Sequence, residues 1–392
     1  MRVLFVHSPA DLYGASRALL RLCHDMRRDG WEVAVVLPEE GGLSRRLAAA
    51  GVEVFLIPGI AKIERQNFAT AAGAVRFCRD VLSDIRAQRQ IIARWRPDVI
   101  HTNISIIPST AVAAKLAGRR HLWHLRETYG EFPGLWAVYK HIMGVFSTRI
   151  VCCSQVTADQ LAGSWAARRA RVIYEGLASN EFCAFSAADV ATWRRRFAPE
   201  GGPVVGVVGR IRMVRKGQEV FVAAAQQLVG EFPSTHFVCI GDAYPGNESH
   251  VEELRRRAEQ GGIGHRFAIT GDIEDVAAAT AALDIAVMPS VVPEPFGNVV
   301  MEAMCLGKPV VASVNGGGRE QIEDGVTGFL VPPGDADALA RALAMLLADP
   351  QRARAMGEAG RRRFEAIFTS DKGHAAIRRL YAELGFEIAP HR

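Results

Sequence analysis

Short runs of consecutive apolar residues alternate along this chain with longer stretches in which apolar residues recur every three or four positions. VLFVH (3–7), EVAVVL (32–37), VEVFLI (52–57), DVIHT (98–102), HLWHL (121–125) and RIVCCS (149–154) read as strands. SRALLRLCHDMRRDG and the stretch 70–96 between them have helical spacing. The pattern then restarts: PVVGVVG (203–209), HFVCIGD (236–242), RFAITG (266–271), IAVMPS (285–290), PVVAS (309–313) and GFLVP (328–332) form a second strand series with helices between. Strands apolar throughout and separated by helices predict parallel sheets covered on both faces. The expected fold is therefore α/β, with two Rossmann-like doubly wound parallel-sheet domains facing across a cleft. The expected domains are residues 1–180 and 181–370, with 174–190 as the linker and a C-terminal helical segment 371–392 packing back on the first domain.

A chain of 392 residues is long enough for two such cores. Its 49% apolar and 23% charged content suit a globular enzyme. The seven cysteines have no metal-type spacing with histidines and read as free thiols in a reducing compartment. No apolar run reaches the roughly 18 residues of a membrane span, and RVLFVHSP is a strand with no signal-peptide features, so the expected location is cytoplasmic. Charge is uneven. Residues 1–180 hold 24 Lys/Arg against 15 Asp/Glu, a balance of +9, and residues 181–392 hold 23 against 27, a balance of −4. Two readings stay open for the basic half: a solvated arginine-rich surface, or contact with an acidic acceptor or a membrane face. Nucleic acid is not an expected partner.

Open α/β sheets bind ligands beyond the carboxyl ends of their strands, so the chemistry is sought in the loops there. Glu294 and Glu302 bracket PEPFGNVVMEAMCLGKPVVAS, in which a turn at Gly297 and Asn298 opens a short apolar helix. Such a helix start aims unpaired N–H groups and a positive dipole end at a guest, typically phosphate. Carboxylates on either side add recognition of hydroxyls, which together suit a sugar nucleotide. The loop GRIRMVRKGQE supplies Gly209 for a tight turn, with Arg210 and Lys216 as cations for a departing diphosphate and Arg212 and Arg215 near them. In HLWHLRETYG, His124 ends a strand, followed by Arg126 and Glu127; a histidine there can donate to a sugar hydroxyl or exchange a proton. His101 and His121 read as structural. Gly14, Ala15 and Ser16 form a small-residue helix entry without a G-x-G-x-x-G pattern, which disfavours NAD. Three glycines before Glu320 suit a close backbone approach to a ligand or a left-handed turn.

In order and spacing, VVGRIRMVRKGQE, ITGDIEDVAAATAALDIAVMPS and EPFGNVVMEAMCLGKPVVASVNGGGREQIEDGVTGFLVPPGD resemble the C-terminal domain of retaining glycosyltransferases of the GT-B fold, family four. The resemblance runs almost continuously from about residue 203 to 348. It is looser in the first half, through PDVIHTN, WHLRE, the 14–16 loop and VIYEGLASNEF, where Glu175-Gly176 replaces the family's usual Asn-Gly. The resemblance implies that Arg210 and Lys216 hold the donor diphosphate, that Glu294 contacts sugar hydroxyls, and that N–H groups of Phe296, Gly297 and Asn298 steady sugar and phosphate. It further implies that Glu302 binds the ribose, that Ile273 frames the base, that His124 lies near the transferred sugar, and that Gly14 to Ser16 close over the phosphates. The implied activity is metal-independent retaining transfer from a UDP- or GDP-linked sugar, with no cofactor, to a glycan or lipid-linked acceptor in polysaccharide or glycolipid biosynthesis. Peripheral contact with the anionic inner membrane face would go with it. FPGLWAVYKHIMGVF (132–146) reads as a core helix, with a membrane-facing role as the other reading. Rival functions are a sugar-nucleotide epimerase on a similar scaffold and a non-catalytic protein of the same fold.

Overall fold

The computed structural model describes residues 1–12, 14–130 and 132–386, with Arg65 as backbone only. It divides into two compact units, Met1–Gly176 together with the chain from Ser370 onward, and Leu177–Thr369. Residues 387–392 of the segment expected to pack back lie outside the described residues.

The first unit is built on a seven-stranded sheet in the order β3-β2-β1-β4-β5-β6-β7. Its strands are β1 (Arg2–Val6), β2 (Glu32–Leu37), β3 (Glu53–Leu56), β4 (Val99–Thr102), β5 (Arg120–Leu125), β6 (Arg149–Cys152) and β7 (Ala170–Val172). All pair in parallel. The central strands are buried on both faces because helices cover both, which is why they read as unbroken apolar runs. Helix Gly14–Arg28 shows the complementary logic: it buries Ser16, Leu19, Cys23 and Met26, spaced at three and four residues, and exposes arginines on its other side. The helix Ser370–Glu383 and the residue after it complete this core, where Ile377, Leu380, Tyr381 and Leu384 pack with Val3, Phe5 and Trp31. Tyr381 is fully buried and its hydroxyl meets His101 Nδ1 at 2.9 Å.

The second unit carries six parallel strands in the order β10-β9-β8-β11-β12-β13. They are β8 (Val204–Val208), β9 (His236–Ile240), β10 (Phe267–Ile269), β11 (Ile285–Met288), β12 (Val310–Ser313) and β13 (Gly328–Val331). Its core draws on Phe221, Phe237, Leu254, Leu343 and Leu346, all nearly inaccessible to solvent.

Three details depart from the sequence reading. Strand β7 was not expected, because only three residues pair and Arg171 interrupts their apolar character. The boundary between the units falls inside the stretch expected as linker, 174–190, but that stretch is structured: Glu175 is buried in an ion pair, Leu177 N–H bonds the Phe368 carbonyl at 3.0 Å, and helices occupy Ser179–Phe182 and Ala187–Phe197. The first unit accordingly ends at Gly176, before residue 180.

Candidate functional site

In the second unit β9 lies on one side of β8 and β11 on the other, so the chain reverses direction across the sheet at the carboxyl ends of β8 and β11. That point opens a crevice in such sheets. The loops that follow these two strands are tied together there. The Arg215 carbonyl accepts the N–H groups of Val291 and Val292 at 3.0 and 3.2 Å. Lys216 Nζ meets Glu294 Oε1 at 2.7 Å, and Ser290 Oγ donates to the same oxygen at 3.4 Å. Gly217 allows this proximity: it sits at φ 71°, and a Cβ there would overlap the Pro289 carbonyl oxygen.

The loop after β12 braces Glu294 from the other side. Gly317 N–H donates to the Glu294 carbonyl at 2.8 Å, and Asn315 Nδ2 donates to the Ser290 and Val291 carbonyls, both at 2.9 Å. Gly316 has φ 64°, and a Cβ on it would run into the Glu294 backbone. The glycines before Glu320 therefore make room for the Glu294 loop, and Gly316 adopts the left-handed turn that was one of the two expectations.

Gly297 is the N-cap of helix Asn298–Cys305, whose first N–H groups open beside Glu294 in sequence, and Glu302 is half-buried one turn on from Asn298, on the same helix face. Phe296 is a core side chain, packed edge-on against Phe368 at 5.9 Å, so only its backbone faces the turn. Arg210 shares the loop after Gly209 with Lys216, but its Nη1 donates to the Ala243 carbonyl at 3.3 Å and so reaches the loop after β9. Buried Gln218 shapes this loop by donating to the Arg210 carbonyl at 3.0 Å. Ile273 lies in the loop after β10, half-buried at the sheet's edge.

The first unit has its own reversal point, between β1 and β4. His7 follows β1, Asn103 follows β4, and His124 and Arg126 lie at the end of β5, so the sheet order brings them side by side. Asn103 Nδ2 donates to His7 Nδ1 at 3.2 Å and to the Ala15 carbonyl at 3.4 Å. His7 Nε2 meets Ser16 Oγ at 2.9 Å, which links the cluster to the first turn of the helix that begins at Gly14. Arg126 Nη2 reaches Asn103 Oδ1 and His124 Nδ1, each at 3.3 Å, and Nη1 is paired with Glu175. A small, partly open cavity of about 50 Å³ is lined by Arg21, His124, Arg126, Glu175, Ser370 and His374 among others.

Burial, aided by the Arg126 charge, holds the imidazoles neutral. His7 and His101 are pushed down to about 3 and His124 well below its ordinary value. Burial also lowers Arg126, to about 10, so it stays protonated at neutral pH. His101 and His121 are structural as expected: the first bonds Tyr381 and the second meets Thr102 Oγ1 at 2.8 Å. Composition and spacing gave no sign of His7, Asn103, Glu175 or Gln218. The available signal was a polar residue immediately after an apolar strand, and it becomes informative only once strand order is known.

Residues 189–363 match the family described as Glycosyl transferases group 1, and residues 13–176 match the Glycosyl transferase 4-like domain. The chain belongs to the family-four glycosyltransferases of the GT-B fold. It is 28% identical over 345 residues to a phosphatidyl-myo-inositol mannosyltransferase of Mycolicibacterium smegmatis, covering 86% of this chain and 82% of that protein. A GDP-mannose-dependent alpha-(1-6)-phosphatidylinositol monomannoside mannosyltransferase of the same organism is 36% identical over 179 residues, 44% of this chain; the match spans only 45% of that relative. The crystal structure of Anabaena HepE with UDP and glucose shares the fold, at TM-score 0.82 and 24% identity over 97% of this chain and 99% of that one.

Proposed function

We propose that this glycosyltransferase moves a sugar from a UDP- or GDP-linked donor to a hydroxyl of a glycan or lipid-linked acceptor, with retention of anomeric configuration and without a metal. The observation that carries the reading is the Lys216–Glu294 pair, 2.7 Å apart at the reversal point of the second sheet, beside the helix start at Asn298. In the free protein the two charges satisfy each other. A diphosphate sugar offers each a better partner, phosphate for the ammonium and hydroxyls for the carboxylate. Arg210 and the N–H groups of Gly297 and Asn298 then add to diphosphate binding, Glu302 takes the ribose, Ile273 borders the base, and Gly14 to Ser16 cover the phosphates. Lys216 and Arg210 stabilise the charge that gathers on the leaving diphosphate, while a diphosphate oxygen takes the acceptor proton. The named activities of the mannosyltransferase relatives, and the UDP and glucose bound to HepE, support a nucleotide-sugar donor. A melting-point screen with UDP, GDP and their sugars tests it, since a ligand bound by the native state raises Tm. A Tm unmoved by every nucleotide would refute the proposal, and loss of activity in EDTA would refute its metal independence.

The same reading extends to peripheral docking on an anionic membrane. Among the described residues no helix is long and apolar enough to cross a bilayer. Helix Pro133–Phe146 buries Trp136, Tyr139 and Met143 yet exposes Val138, Ile142 and Val145 on one face, with exposed Trp165 packed edge-on against His141. That apolar face, carried by the basic half of the chain, supports the docking. Sedimentation with anionic vesicles should lose the protein on Val138→Asp/Ile142→Asp substitution and in high salt; indifference to both would exclude this surface.

A further inference from the structure

We propose that Arg126, held in place by Glu175, is a positioning residue that fixes His7 and His124 as Nε2–H tautomers, so that His124 offers a hydrogen-bond donor and not a proton acceptor. A guanidinium only donates. Arg126 Nη2 directs its two hydrogens at Asn103 Oδ1 and His124 Nδ1, so His124 Nδ1 must accept and its proton resides on Nε2. The same contact orients the Asn103 amide, whose Nδ2 then faces His7 Nδ1. His7 Nδ1 accepts in turn, and its Nε2–H donates to Ser16 Oγ, which passes its own hydrogen to Asp11 Oδ1 at 3.1 Å. One cation thus sets the direction of every hydrogen bond from β5 to the start of helix Gly14–Arg28.

Glu175 is what keeps that cation in place. The Arg126 and Glu175 side chains are only 7% and 9% exposed, so both charges are largely desolvated and each is a main partner of the other. The far nitrogen of His124, Nε2, is buried with no hydrogen-bond partner among the described residues, and His124 lines the cavity that also borders Arg126 and Glu175. A buried N–H without an acceptor is costly, and an incoming oxygen of a hydroxyl or phosphate would satisfy it. The sequence left open whether His124 donates a hydrogen bond or exchanges a proton; with Nδ1 occupied by Arg126 and Nε2 carrying hydrogen, only donation remains. The catalytic consequence rests on the transferase reading above, whereas the tautomers do not.

The full chain labelled with ¹⁵N-histidine, without ligand at pH 7.5, reports each tautomer through long-range ¹H–¹⁵N correlations of the ring nitrogens. His7→Gln and His124→Gln assign the two resonances by their loss. Both residues should be neutral Nε2–H; an Nδ1–H ring or an imidazolium at either would overturn the assignment. Arg126→Met combined with Glu175→Gln removes both charges together, so that neither is left buried alone, and should give a tautomer mixture at His124. An unchanged His124 spectrum there would show that Arg126 sets nothing. In turnover, His124→Gln, whose amide nitrogen stands near the Nε2 position, should stay within about tenfold of wild type while His124→Ala falls about a hundredfold. Equal losses in the two would overturn the donor role. The expected tautomers in a wild-type protein that transfers no sugar would sink the transferase reading and leave the tautomer assignment standing.

Discussion

Lowering the pH should unfold the first unit well before ordinary acid denaturation. His7, His101 and His121 are each pushed down by burial to about 3, and His124 well below its usual value, while the unfolded chain titrates near 6.5. Their folded values are depressed, so the unfolded state binds more protons below 6.5. The stability is present above that pH and is lost as pH falls towards 3. Each histidine costs ~1.4 kcal/mol per pH unit in that window, and four together cost roughly 5 to 6. Asp84 works the other way: burial raises its folded value to about 6 from 3.8, so it favours folding as pH drops through that range and cancels about one histidine. Half-buried Glu127 and Asp25 are also raised and add to this offset. A net loss of up to about 4 kcal/mol per pH unit consumes a typical domain stability of about 5–15 kcal/mol between roughly pH 5.5 and pH 3. Five of the six tryptophans (31, 95, 123, 136 and 165) belong to this unit, so urea unfolding followed by tryptophan fluorescence reports mainly on it. Midpoints measured from pH 7.5 to 5.0 should fall steeply, and His121→Asn should flatten the slope by about one proton. A midpoint constant over that range would show that these imidazoles are not buried and neutral.

Further outcomes follow from the packing and the site. A chain ending at Thr369 loses Ile377, Leu380, Tyr381 and Leu384 from the first core, and its near-UV circular dichroism should show that unit unfolded. The milder Tyr381→Phe, which strips buried His101 of its Nδ1 partner, should cost about 1–3 kcal/mol in urea unfolding. Gly316→Val forces a side chain into the Glu294 backbone and should abolish the Tm rise given by the donor nucleotide; a retained rise would show that this loop does not shape the site.

Much of the fold was legible because burial on both faces writes itself as uninterrupted apolar runs: all twelve expected strands are present, from Arg2–Val6 to Gly328–Val331. Edge strand Ala170–Val172 escaped because it is too short and too basic to carry that signature. The element around Glu294 and Glu302 was legible for a local reason, since the acids, the Gly297 turn and the helix are contiguous. Its bracing by Asn315 and Gly316 was not, because those contacts exist only once β11 and β12 are adjacent. The histidine–arginine cluster was hidden for the same reason. His7, Asn103, Arg126 and Glu175 sit in four separate segments, and each looks like a lone polar residue at the end of a strand. Glu175 is the instructive case: it stood out as a departure from the family's Asn-Gly, and in the structure it pairs with Arg126.

The central claim is that Lys216 and Glu294 part from each other to grip a sugar nucleotide. The direct measurement is nucleotide release from the preferred donor by wild type, Lys216→Ala and Glu294→Ala, with Tm recorded for each. Both variants should lose about a hundredfold or more in turnover with native-like melting. Turnover near wild type in either would contradict the account.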